Sequence, residues 1–74
     1  MISRYKLRVF LSNIPVGQRF YIDAINLTSQ AIVYLRGCIK EGFIMPVDFE
    51  NRVKIKESVE SGDTILPQGY YKKI

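Results

Sequence analysis

A threonine at one end, a glycine at the other and an apolar stripe between them leave residues 28–42 little choice but helix. Thr28 has the chemistry of an N-cap, its hydroxyl able to accept from an unpaired amide of the first turn. Leu27 and Ile32 have the spacing of a hydrophobic staple across that cap. Ala31, Ile32, Leu35, Cys38 and Ile39 then repeat on one helical face, and Gly42 supplies a left-handed stop with Phe43 placed to pack back on Cys38. The pattern predicts a helix from about Ser29 to Glu41.

A second helix is expected from about Ser3 to Asn13. Leu7, Phe10, Leu11 and Ile14 fall on one face, and Arg4, Arg8 and Ser12 lie on others. Pro15 and Gly17 end it, since proline lacks a backbone donor and glycine readily enters a tight turn. The stretch from Gln18 to Ile25 fits two readings. Phe20 and Ile22 alternate with Arg19, Tyr21 and Asp23 as in a strand, while Phe20, Ala24 and Ile25 also suit a short helix.

Beyond the central helix, Met45-Pro46 is expected to break the chain. Val53, Ile55, Glu57 and Val59 alternate with Arg52, Lys54, Lys56 and Ser58, the period of a strand. Ser61-Gly62-Asp63 would turn that strand back into Thr64 to Leu66, a second arm that Pro67 limits to an edge position. A helix from Asp48 to Glu60 is the competing reading. Tyr70-Tyr71-Lys72-Lys73 reads as an aromatic, basic end.

With 74 residues, the chain has room for one core and no second domain. Its apolar share of 47% against 24% charged residues is that of a folded protein, not a disordered tail. One cysteine excludes an internal disulfide, so a reducing, cytoplasmic setting is expected, and a domain this small without disulfide or metal support points to a homodimer. No apolar run has the length of a membrane span, and the basic start lacks the pattern of a signal peptide.

The formal charge of +4 is unevenly spread. Residues 1–40 hold Arg4, Lys6, Arg8, Arg19, Arg36 and Lys40 against Asp23 alone, whereas acids slightly outnumber bases in the remainder. That basic half can provide the electrostatic attraction that phosphate binding requires.

The run from Ile22 to Leu35 resembles the centre of a helix-turn-helix, specifically that of the winged-helix DNA-binding regulators of bacteria and phages. In such motifs a residue tolerant of left-handed geometry makes the turn, an apolar neighbour plugs the core and a small hydroxyl residue caps the second helix. Asn26, Leu27 and Thr28 stand in that order, and Glu41-Gly42-Phe43-Ile44 is similar to the exit of a recognition helix into a first wing strand.

The resemblance implies a small α+β winged helix-turn-helix in one domain spanning residues 1–74: helix, short strand or helix, recognition helix and β-hairpin wing. The wing would occupy about 43–67, followed by a short basic aromatic tail at 68–74. Thr28, Ser29, Gln30, Val33 and Tyr34 would face the major groove, with Arg36 and Lys40 nearer the phosphates. Gln30 can pair with adenine and Val33 can meet a thymine methyl. Arg52, Lys54 and Lys56 would line the wing as a cationic row. Gly37, costly inside a helix, would be explained by the close approach of another backbone, from DNA or a second protein.

These expectations describe a sequence-selective double-stranded DNA-binding protein, a small transcriptional regulator of phage or mobile-element type acting as a homodimer or cooperative array. No cofactor, metal, membrane or small-molecule substrate is implied. With no histidine and no glycine-rich phosphate loop, the chain lacks the parts of a triad or nucleotide site and does not read as an enzyme. Asp48 and Glu50 form one tight acidic pair, which reads as solvated loop residues. The competing class is a small phage-type inhibitor or adaptor that binds a host enzyme through Tyr5, Tyr21, Tyr34, Tyr70 and Tyr71, because tyrosine adds contact area at low entropic cost.

Overall fold

The computed structural model describes residues 1–47 and 68–74. In chain order the elements are α1 (Arg4–Ser12), β1 (Arg19–Ile22), a single 3-10 turn (Ala24–Asn26), α2 (Ser29–Lys40), β2 (Ile44–Pro46) and β3 (Gly69–Lys73). The described residues thus form a small α+β fold with two helices and a three-stranded antiparallel sheet in the order β1-β3-β2.

Both helices start and stop where local chemistry requires. Ser3 caps α1, its hydroxyl accepting from the Lys6 amide at 3.2 Å, and Thr28 caps α2 by accepting from Ala31 at 3.2 Å. At the far end of α2, Gly42 has φ +80°, donates to the Ile39 carbonyl and is followed by a bond from the Phe43 amide to Cys38. That pair of bonds is the Schellman stop, which satisfies carbonyls left open by the last turn. The Phe43 side chain does not complete it by packing back, and stays 60% exposed.

The ambiguous stretch 18–25 divides between two conformations. Phe20 and Ile22 point into the core and Arg19 and Tyr21 out of it, so the alternation makes a strand, after which Ala24–Asn26 tighten into one 3-10 turn. The first helix of the resembled motif is therefore reduced to that turn. Asn26 is also not the left-handed residue expected, since among the described residues only glycines have positive φ. Its amide Nδ2 instead donates to Asp23 Oδ2 at 2.6 Å, holding the turn shut from the side. Leu27, the expected plug, is buried.

The largest departure is at 68–74. These residues are no tail: β3 is the central strand of the sheet, and Tyr71 at its middle is fully buried, its ring stacked on Phe20 at 5.9 Å. Neighbouring segments tie it on both sides, with Gly17 and Gln18 bonded to Lys73 and the Ile74 amide bonded to Phe43. Lys73 Nζ donates to the Leu11 carbonyl at 2.5 Å, placing a cation in the last turn of α1. Nor does Met45-Pro46 break the chain, because among the described residues β2 is an edge strand, where the missing proline donor costs no ladder bond.

The core lies between the helices and the inner sheet face. Leu7 and Leu11 of α1, Ala31, Leu35 and Cys38 of α2, and Phe20, Ile22, Ile44 and Tyr71 of the sheet are its main members. Full burial of a side chain such as Leu35 contributes about 1.5–3 kcal/mol. Phe10, expected in the stripe, sits at its margin with its ring edge-on to Phe20. The expected strands and turn at 52–66, the competing helix from Asp48 to Glu60, the acidic pair Asp48 and Glu50 and the cationic row Arg52, Lys54 and Lys56 lie outside the described residues.

Candidate functional site

Helix α2 turns Ala31, Leu35 and Cys38 inward, and the helical period therefore turns Ser29, Gln30, Val33, Gly37 and Lys40 to solvent. Val33 is 71% exposed, a large apolar side chain at the middle of an otherwise polar stripe. Gly37 lies on the same stripe, and a methyl group added to it would meet no atom within 4 Å. No packing inside the described fold requires glycine there.

The start of α2 is held beside the start of α1 by the extended residue that precedes α1. The Ile2 amide donates to Asn26 and the Thr28 amide donates to Ile2, a parallel bridge of Ile2 with Leu27. With the two helix starts fixed together, Arg4 of α1 lies over the ring of Tyr34 on α2, its guanidinium carbon 5.6 Å from the ring centre. That distance suits a cation–π contact. An open groove of about 500 Å³ results, lined by Arg4, Ser29, Gln30, Val33 and Tyr34.

Four of the expected contact residues, Ser29, Gln30, Val33 and Tyr34, thus share one groove. The others do not join them. Thr28 is half-buried and its oxygen is occupied by the cap. Arg36 is half-buried on the flank of α2 away from Tyr34, and Lys40 stands in the last turn, eleven residues beyond Ser29. At helical rise that is about 16 Å from Ser29 and about 9 Å beyond Tyr34, the last groove residue on α2. Tyr34 itself corrects the simple outward placement: it packs partly against the core cluster and presents its ring to Arg4.

The electrostatics of this corner follow from burial. Burial raises the Tyr34 hydroxyl above its ordinary pKa, as does the neighbouring Cys38, while Arg8 and Arg4 pull the other way. Cys38 is likewise raised by burial, opposed by its hydrogen bond with Tyr34 and by Lys73. Buried among the core residues, the Cys38 thiol packs there, and its raised pKa disfavours the thiolate.

In sequence Arg4 and Arg8 read only as cations off the apolar face of the first helix, and their meeting with Tyr34 depends on how the helices cross. The five tyrosines do not make one surface, since Tyr71 is inside the core, Tyr34 lines the groove and Tyr21 and Tyr70 stand on the sheet. No helix among the described residues is long and apolar enough to cross a membrane. No family model, curated protein or solved structure matches the chain.

Proposed function

We propose that the protein binds double-stranded DNA with sequence preference, as a small regulator of winged helix-turn-helix type, in the cytoplasm and as a homodimer or cooperative array. The observation that carries this reading is the groove at the start of α2. An exposed amide side chain, a hydroxyl and an isolated valine stand together with a cation from a second helix. Gln30 offers both a donor and an acceptor to an adenine edge, Val33 offers an apolar face to a thymine methyl, and Arg4 offers charge to a phosphate beside them.

The order of elements, with β3 paired between β1 and β2, is compatible with a winged-helix layout. Gly37 gains a rationale in this reading, because removing the side chain from an exposed stripe lets a groove wall approach the helix backbone. Among the described residues the cations Arg4, Lys6, Arg8, Arg19, Arg36, Lys40, Lys72 and Lys73 outnumber the anions Asp23 and Glu41, which favours association with a polyanion.

A mobility-shift series with random duplex at low and raised salt tests the proposal. Binding should weaken steeply with salt. Gln30→Ala should mainly relax sequence preference, whereas Arg4→Ala should weaken all sequences alike. The inhibitor or adaptor reading draws support from exposed apolar side chains on α1, including Tyr5 at 73% and Val9 at 42%. No duplex affinity at low salt would transfer the case to that reading.

A further inference from the structure

We propose that the outer face of the sheet is a separate stacking surface for single-stranded nucleic acid, independent of the groove on α2. Alternation along β1 and β3 sends Phe20, Ile22 and Tyr71 inward and leaves Arg19, Tyr21, Tyr70 and Lys72 on the opposite face. The register then sorts them by chemistry. Arg19 is paired directly with Lys72, and Tyr21 directly with Tyr70. Two cations therefore stand side by side, and two aromatic rings stand side by side one pleat further on, about 6.8 Å along the strands.

The cation pairing is a poor choice for a bare, solvated face, whereas the aromatic pairing is favourable in itself but leaves ring surface open to water. Like charges directly opposite each other destabilise a sheet, and a solvent face normally carries polar side chains at the positions held here by two tyrosines. Tyr21 is 47% and Tyr70 57% exposed. Their rings meet at 5.0 Å and 64°, so the ring that contributes its edge keeps both of its faces clear of its partner. Gln68 Nε2 donates to the Tyr21 hydroxyl at 3.1 Å, which steadies one ring from the rim.

A ligand that brings flat π-faces and negative charge in alternation turns the charge repulsion into an attraction and covers the exposed ring surface. Bases can stack on Tyr21 and Tyr70 while the adjoining phosphate lies between Arg19 and Lys72 and relieves their repulsion. A duplex cannot supply this, because its bases are already stacked on one another, whereas an unpaired strand presents them freely. An acidic protein segment would satisfy the cations and leave the rings unused.

The test is fluorescence anisotropy of a short labelled oligothymidylate at low salt, with a labelled random duplex measured in parallel. The wild-type chain should bind the single strand. Tyr70→Leu and Tyr21→Leu should each weaken it about tenfold or more, Tyr70→Phe should stay near wild type, and Gln30→Ala should leave single-strand affinity unchanged. Melting curves by circular dichroism identify variants that remain folded, and Tyr21→Leu on the edge strand serves if the central-strand change unfolds the protein. The proposal is overturned if the wild-type chain ignores the oligothymidylate, if folded leucine variants bind it normally, or if they lose duplex and single strand in equal measure. Duplex binding in the parallel arm is judged separately, so either surface can fail alone.

Discussion

Helix α2 and strand β3 both supply fully buried side chains to the same core, yet only α2 is specified by its own residues. Thr28 and Gly42 set its ends through bonds to residues three to five positions away, and its apolar spacing chooses the face that turns inward. In β3 two adjacent residues of the same type have opposite fates: Tyr71 is fully buried and Tyr70 is 57% exposed. Nothing in a Tyr-Tyr pair decides which goes inside. Pairing with β1 and β2 decides it, through contacts made across most of the chain. A helix can be written locally, whereas a central strand is a property of the whole fold.

The widest gap between those two tyrosines should appear in stability. Tyr71→Ala should cost about 3–5 kcal/mol in a urea titration, the loss typical of a deleted core aromatic, and Tyr70→Ala about 1 kcal/mol or less. Equal losses would break the comparison.

An alkaline titration sharpens it. Burial pushes the Tyr71 hydroxyl far above its ordinary range near 10. The unfolded chain therefore ionises first, so this contribution is fully present below about pH 10 and is lost as pH rises above that toward the raised folded value. Unfolding free energy should fall over that window, Tyr71→Phe should flatten the decline, and Tyr70→Phe should leave it as it was.

On the α2 side the effects are smaller because they are local. Thr28→Ala removes one cap bond and should destabilise by about 1 kcal/mol without moving the alkaline transition. Gly37→Ala should have the opposite sign, raising stability by about 0.5–1 kcal/mol because an exposed helix interior prefers alanine. The same change should lower duplex affinity if the stripe enters a groove. Gain of stability with unaltered affinity would remove Gly37 from the proposed contact.

The same contrast explains what could be read in advance. Both helices are legible to within a residue or two, since apolar spacing marks each of them and Pro15, Gly17, Thr28 and Gly42 are local stop and start signals. The strand character of Arg19–Ile22 was visible only as one of two readings, because four residues carry too few periods to choose. The sequence of β3 reads as a tail, because it is short and ends in cations and the partners that make it a strand are remote. Within the candidate site, the outward placement of Ser29, Gln30 and Val33 follows from helical period, while their choice as contact residues rests on the resemblance to a helix-turn-helix. Arg4 did not, since its place over Tyr34 comes from the Ile2 bridge that locks the two helix starts together.

The proposed duplex-binding face is reached most directly by following backbone amide resonances of the labelled protein as random duplex is added at low salt. Shifts concentrated on Arg4, Ser29, Gln30, Val33 and Gly37, with the amides of Tyr21 and Tyr70 unmoved, are the expected result. Shifts gathered on the sheet with α2 silent, or no shifts at all, would contradict it.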